Sequence, residues 1–353
     1  MPSSENPPSI PNRLDMDIFW DSDLDLIRQR SSPQLVESLE HVYQLGLSFG
    51  TPLDNDSSGK PYASDFLKFV LRQRGDGLRA LEIGAGTGYL MRNLVDAGFE
   101  VTGLEPGRGY LIRQQFHNVE VIADTFPSLE LQGRFNLIVA YGILEHIEDP
   151  QYFLAAVREH LTPEGVLCVS VPDCSNEIVA GDFSMLVHEH YSYFDTESLC
   201  SLMAVAGFRG TVESSCHGRT LFAAFSPSAV QSTVEVEKFR SYRESFGVRS
   251  VDSLARMRDR LGEYSSRGTV GIFVASRALA ALDESVGARF FDDDPKKVGG
   301  YYPPFRFPIE GRDDLVRYPV DTLVNFSRTF ADTIHSSLAS SGYVGRIVDA
   351  WSV

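Results

Sequence analysis

Apolar positions along the chain change period several times, and each change marks an element. In QLVESLEHVYQLGL (34–47), Leu35, Leu39, Val42, Tyr43 and Leu47 recur at helical spacing. TPLDNDSSGKPY (51–62) breaks that pattern as a loop. ASDFLKFVLRQRG (63–75) resumes it as a helix, with Ser64 the expected N-cap and Gly75 the expected stop. From residue 79, short apolar runs alternate with helical ones. RALEI, EVTGLEP, VEVIAD, FNLIVAYG and GVLCVSVP read as strands, with GYLMRNLVDAG, RGYLIRQQF and QYFLAAVREHL as helices between them. This alternation predicts a parallel sheet covered on both faces.

After residue 226 the pattern restarts. VEVEKFRSYRESFG and VDSLARMRDRLGEYSSRG read as two polar-faced helices, and a shorter strand–helix series follows: TVGIFVAS, ALAALDESVG, ARFFDDDP, TLVNF, ADTIHSSLASSG and GRIVDAW. The predicted fold class is therefore α/β, a Rossmann-like domain joined to a second, smaller Rossmann-like domain. The expected segments are 1–75, a Pro/Ser-rich disordered tail and helices; 76–226, the first α/β domain; and 227–353, a helical connector and the second.

Composition narrows the partners. A length of 353 residues suits two domains, and a formal net charge of -16 argues against a nucleic-acid backbone or an anionic membrane surface as the main partner. It leaves room for a local basic pocket for one phosphorylated ligand. The start, MPSSENPPSIPNRLD, lacks the features of a secretory signal, and no run approaches the roughly 20 apolar residues that span a bilayer. Cys168, Cys174, Cys200 and Cys216 show no CxxC spacing. A reduced, cytoplasmic protein is expected, monomer or homodimer being left open.

LEIGAGTGYL (81–90) places Gly84, Gly86 and Gly88 at alternate positions after the RALEI strand. The dinucleotide fingerprint is GxGxxG; here Tyr89 stands where its third glycine would fall. Such a turn lets a ligand approach bare backbone near a helix N-terminus. Glu82, two residues before Gly84, would repel a pyrophosphate but suits an aminoacyl ammonium or a sulfonium. Glu105 ends the next strand, where a carboxylate can take both hydroxyls of a ribose.

Glu82 with GAGTG, and Glu105 in GLEP, resemble motif I and its partner acid in class I S-adenosylmethionine-dependent methyltransferases. The resemblance implies S-adenosylmethionine as cofactor, with S-adenosylhomocysteine as its product. It also places Asp124, in VIADTF, near the adenine amine, and Tyr141 beside the cofactor after the fourth strand. LEHIEDP (144–150) looks like that family's common segment; Glu145 and His146 within it read as a packing and capping pair for the next helix.

LVHEHYSYF (186–194) is the second constellation. In an extended segment His188 and His190 share one face and Glu189 the other. Two histidines at this spacing can begin a metal site, but no other close ligand is evident, so no metal is expected. Ordinary loop residues are a second reading. A catalytic base is the third, because histidine titrates near working pH.

HEHYSYF, then AGF and CHGRTLFAAF, resembles a region of deoxysugar C-methyltransferases that reads approximately YHEHLSYFS … GL … HGGSLR. FFDDDPKKVGGYYPPFRFPIEGRDDL resembles a segment of the same family's C-terminal domain, so the resemblance spans roughly residues 60–350. It implies a small-molecule acceptor, methylated on the carbon beside the ketone of a nucleotide-linked deoxysugar. His190 would remove the α-proton, Glu189 would bind substrate hydroxyls or hold the site, and Tyr62 would reach the substrate. His188, His217 and Gly218 would line the acceptor pocket.

The departures fall on the acceptor side. The family's cysteine-rich zinc module is absent, its tyrosine before HEH is Val187, and VASRALA (274–280) replaces its small-residue turn with Lys. HGGS has become HGRT, placing Arg219 either as a contact for an acceptor carboxylate or phosphate or as a solvated surface residue. O- or N-methylation of another metabolite, and a non-catalytic cofactor-binding scaffold, therefore stand beside C-methylation. The second domain reads as structural.

Overall fold

The computed structural model describes residues 14–44, 59–75, 77–107, 119–228, 238–274, 282, 287–302, 305–327 and 331–351. The expected disordered tail, the helix at 108–116 and most of the VASRALA turn lie outside the described residues. The contact pattern divides the chain into two units. One holds residues 16–179 and 188–244; the other holds 1–15, 180–187 and 245–353.

The larger unit begins with a hairpin that periodicity had not suggested, β1 (Asp17–Asp21) against β2 (Leu26–Arg30). Helix α1 covers Pro33–Gln44. Helix α2, Lys60–Arg72, starts earlier than expected: Gly59 is its N-cap and Ser64 lies inside it. Pro61 sits in the first turn, where a missing N–H costs nothing.

Strands β3 (Arg79–Ile83), β4 (Glu100–Leu104), β5 (Glu120–Ile122), β6 (Phe135–Tyr141) and β7 (Leu161–Pro172) form the parallel part of a sheet ordered β5-β4-β3-β6-β7. Helices α3 (Tyr89–Asp96) and α4 (Pro150–His160) serve as crossovers. Successive side chains alternate between the two faces of the strands, and both faces are buried. Leu81 and Ile83 of β3 join one core with Ile138 and Ala140 of β6, while Ala80 joins another with Leu137 and Val139. The sheet is thus packed on both faces, as its continuous apolar strands require.

Beyond β7 the sheet departs from the expected all-parallel order. After β8 (Ser192–Tyr193) and α5 (Thr196–Val205), β9 (Phe208–Ser214) and β10 (Thr220–Pro227) complete the order β7-β10-β9, both pairings antiparallel. The reason is connection length. Five residues join β9 to β10, enough for a hairpin and too few for the crossover a parallel pair needs.

The β1–β2 hairpin is tied to the rest of this unit by the pairing of β2 with β8 and by one buried guanidinium. Arg243, in α6 (Arg240–Glu244), has a side chain with 0% exposure. Its Nη1 donates to Asp195 Oδ2 at 2.7 Å, its Nε donates to Asp25 Oδ1 at 3.2 Å, and its Nη2 pairs with Asp25 Oδ2. Asp25 lies in the β1–β2 turn, and Asp195 caps α5 through a capping box with Ser198. The two carboxylates hold the Arg243 pKa above its ordinary value against the opposing effect of burial.

In the smaller unit, helix α7 (Phe246–Arg267) precedes a parallel sheet of five strands: β11 (Val270–Phe273), β12 (Ala288–Phe291), β13 (Ile309–Glu310), β14 (Thr322–Asn325) and β15 (Arg346–Asp349). The order is β13-β12-β11-β14-β15, with α8 (Ala331–Ser340) joining the last two strands. Ile272 and Phe290 pack on one face and Phe273 and Phe291 on the other.

Arg243→Met leaves two carboxylates buried without their cation, a loss of about 3–5 kcal/mol. Urea unfolding is expected to show a midpoint shift of that size; a change below about 1 kcal/mol would remove Arg243 as the anchor of the hairpin.

Candidate functional site

The residues expected to hold the cofactor gather at the carboxyl ends of β3 to β6, where ligands bind in open α/β sheets. The backbone N–H groups of Gly84 and Ala85 donate to the Leu104 carbonyl at 2.8 and 3.1 Å, closing the turn onto β4. Gly86 has φ +54°, and a Cβ built on it meets nothing nearer than the Gly84 carbonyl oxygen at 3.9 Å. The space above this residue is open. Gly84, by contrast, has φ +73°, and its Cβ would lie 2.2 Å from Ile143. Gly88 is the N-cap of α3.

Glu105 is held within the turn. Its Oε2 accepts from the Gly86 N–H at 2.8 Å and its Oε1 from the Gly107 N–H at 3.1 Å. Each oxygen keeps a second lone pair for a ligand hydroxyl. Glu82 is buried beneath the turn, and its carboxyl pKa is raised well above the ordinary value, by burial first and by Glu105 in addition. The Met91 backbone N–H, in the first turn of α3, opposes that rise. Glu82 Oε2 has no hydrogen-bond partner among the described residues, and neither has Thr87 Oγ1 within the same turn. Open space above Gly86, two orphaned polar atoms and an anchored carboxylate fit a polar ligand with a diol and a cationic tail.

Asp124 follows β5, half-buried, its Oδ1 accepting from the Thr125 N–H at 2.8 Å. Tyr141 ends β6 with its ring 5.2 Å from that of Phe66. Burial pushes the Tyr141 hydroxyl up to about 12, with Glu145, Tyr62 and Tyr89 adding to the rise.

The acceptor-side residues resolve into two groups. In the first, residues 188–189 form a turn rather than a strand. Glu189 and His190 are therefore both buried, and the expected split across two faces does not occur. The backbone is held by β2: Gln29 donates from its N–H to the Tyr191 carbonyl at 3.0 Å and from Nε2 to the His188 carbonyl at 2.9 Å. His190 packs edge-on against His146, ring centroids 4.7 Å apart. His146 Nδ1 lies 2.8 Å from the Glu189 carbonyl oxygen.

Glu145 and His146 are not the capping pair that the sequence suggested. Asp149 caps α4, accepting from the Tyr152 N–H at 3.0 Å. Glu145 is instead 3% exposed, and its Oε2 has no partner among the described residues. Its carbonyl accepts from the Tyr191 N–H at 2.7 Å. Burial, with Glu189 in addition, pushes its carboxyl up to about 8.

In the second group, Tyr62 meets His217, ring centroids 5.2 Å apart. Asp65, one helical turn on from Tyr62, accepts from the Ser215 hydroxyl and the Cys216 N–H at 2.7 and 2.9 Å. Arg219 adopts a left-handed φ of 58° and its Nη1 donates to Glu177 Oε1 at 3.1 Å. Its charge thus has a partner within the protein. Thr87, Glu145 and His146 were not singled out from sequence as site residues, although all three lie within quoted motifs.

Residues 57–213 match the family model described as a methyltransferase domain. With the glycine turn and the sheet order, that match makes residues 57–213 a class I S-adenosylmethionine-dependent methyltransferase domain, Rossmann-like in fold. Among characterised proteins, the chain is 30% identical over 167 residues to the C-methyltransferase NovU of Streptomyces niveus, covering 45% of this chain and 40% of that protein. It is 33% identical over 101 residues to the ubiquinone biosynthesis O-methyltransferase of Azorhizobium caulinodans, covering 27% and 40% respectively. The chain thus spans less than half the length of either relative. The solved DhpI-SAM-HEP complex aligns at 19% identity and a TM-score of 0.43, over 56% of this chain and 100% of that one. No helix among the described residues is long and apolar enough to cross a membrane.

Two outcomes follow from this geometry. Gly86→Ala places a methyl group in the open space at a left-handed φ, costing about 1–2 kcal/mol of stability. Calorimetry is expected to show S-adenosylhomocysteine binding weakened by more than tenfold, and unchanged binding would refute the cradle. Glu145 concerns pH. Below its ordinary value of 4.5 the carboxyl is protonated whether the chain is folded or not. Between 4.5 and about 8 the unfolded chain ionises while the folded one keeps its proton, so stability falls as pH rises. The slope from this group is about 1.4 kcal/mol per pH unit. Glu145→Gln should remove it, gaining on the wild type steadily across that window in urea midpoints.

Proposed function

We infer that the protein methylates carbon next to a ketone in a small-molecule acceptor, a nucleotide-linked deoxysugar, with His190 as the base. The observation that carries this reading is the buried His190 set against His146 and Glu145, directly beyond the end of β6. A base is what a C–H acceptor needs and a neutral amine does not. The similarity to a C-methyltransferase over 167 residues supports the same choice, whereas the match to the O-methyltransferase covers 101.

S-adenosylmethionine, when bound, supplies an electrophilic methyl group on a sulfonium. Glu105 would hold its ribose above the open backbone at Gly86, with Asp124 toward the adenine and Glu82 toward the cationic end. On the acceptor side, His190 takes the α-proton on a ring nitrogen, and the C–H electron pair passes into an enolate whose carbon is the nucleophile. The contact between His146 Nδ1 and the Glu189 carbonyl fixes the ring against which His190 packs. Tyr141, kept neutral by burial, remains a hydrogen-bond donor. Tyr62, its ring tilted against that of His217, and Glu189 and His188 provide contacts to sugar hydroxyls, and Arg219 lies on the same loop as His217. Burial of Glu189 and His190 keeps water from the base, so positioning contributes to the rate as well as proton transfer.

The reading is tested with a nucleoside-diphosphate-linked keto-deoxysugar in deuterium oxide. Deuterium is expected to enter the α-position with S-adenosylhomocysteine present and no methyl donor. His190→Ala should abolish this exchange and lower methyl transfer by about 10²–10⁴ while leaving S-adenosylhomocysteine affinity unchanged. Turnover that survives in His190→Ala would dismiss His190 as the base.

A further inference from the structure

Glu145, His146 and His190 offer a carboxylate oxygen and two ring nitrogens that all lie within 4.8 Å of one another. From sequence, the histidine pair of HEH lacked further ligands. The fold supplies them from the segment after β6, and His190 joins that set without His188. Two imidazoles and one carboxylate form the ligand set of open divalent-metal sites, in which the remaining positions face substrate or solvent.

Three details point to a cation. The Nδ1 of His146 lies 2.8 Å from the Glu189 carbonyl oxygen. A carbonyl can only accept, so Nδ1 carries the proton and Nε2 presents a lone pair, the arrangement that orients ligating histidines in metal proteins. Glu145 is 3% exposed, with Oε2 unpartnered among the described residues. An oxygen buried in that state is destabilising, which a bound cation would offset. Finally, the Tyr191 N–H donates to the Glu145 carbonyl at 2.7 Å, clamping together the two segments that carry the ligands. A tetrahedral ion with bonds of about 2.1 Å holds its donor atoms about 3.4 Å apart, so small side-chain rotations close the site.

We propose that Glu145, His146 and His190 bind one divalent transition-metal ion of the zinc class, and that the bound ion suppresses methyl transfer. The site itself stands on the ligand geometry; the suppression rests on the reading of His190 as the base. One nitrogen lone pair cannot accept a proton and ligate a metal at once.

A second set, Asp65, Cys216 and His217, meets the same distance limit and provides the internal control. There Asp65 Oδ2 already accepts two hydrogen bonds, and Cys216 and His217 are exposed.

The experiment is a Co²⁺ titration of the chelator-treated full-length protein. One equivalent is expected to give visible d–d absorption without the near-ultraviolet thiolate band that Cys216 would produce. His146→Ala and Glu145→Gln should each weaken binding by tenfold or more, and Cys216→Ser should leave it unchanged. Calorimetry with S-adenosylhomocysteine confirms that each variant is folded. Stoichiometric Zn²⁺ should then abolish turnover, and excess chelator should restore it. Absence of the Co²⁺ bands, or their loss in Cys216→Ser with retention in His146→Ala, overturns the site. Tight Co²⁺ binding with turnover unaffected by Zn²⁺ overturns the suppression. The Co²⁺ titration needs no acceptor, so its failure is distinct from failure of the proposed methyl transfer.

Discussion

The residues proposed to face the acceptor are placed by the buried guanidinium of Arg243. It holds Asp25 in the turn of the β1–β2 hairpin and Asp195 at the start of α5. Between these anchors run the two segments that pair to place the histidines: β2 meets β8 with Ile27 opposite Tyr193 and Arg28 opposite Ser192. Gln29 then fixes the carbonyls on either side of Glu189 and His190. A charge buried at this depth tolerates little displacement, because losing one partner leaves another uncompensated. The position of His190 is thus set by a residue 53 positions further along the chain.

The cofactor side is governed by a different constraint, backbone geometry at the end of a parallel strand. Gly84 and Gly86 take left-handed conformations, and the turn they form leaves N–H groups directed at Leu104 and Glu105. Glu82 lies beneath that turn with one oxygen unsatisfied. Glu145 repeats the theme after β6. Burial raises both carboxyls above their ordinary values, and each occurs where a strand end opens toward a ligand. Perturbed acids at strand ends of this kind mark candidate functional positions.

Much of this was legible in the chain. The alternation of strands and helices, the glycine turn and both motif acids were read from residues 79–172, where short-range pattern and local geometry agree. The hairpin at residues 17–30 was not, because DIFWDSDLDLIRQR mixes charge into both faces and shows no clean alternation. Ser64 was a reasonable cap by type, yet α2 begins at Lys60, where Pro61 favours a helix start. Glu145 and His146 were set aside because they precede a helix; Asp149 took the capping role and freed them to point inward.

What the sequence alone determined is the cofactor half: a turn of three glycines between two acids is a local device, built within 25 residues, and local devices are written in contiguous sequence. What only the tertiary structure decided is the company His190 keeps. The spacing of HEHYSYF suggested an extended segment pairing His188 with His190. The fold turned the chain at residues 188–189 and set His190 against His146 and Glu145 instead. Those contacts join segments some 45 positions apart, held by a hairpin and a buried arginine that no periodicity encodes. Long-range placement of this kind depends on which charges find partners in the interior, and that is settled only when the chain has closed on itself.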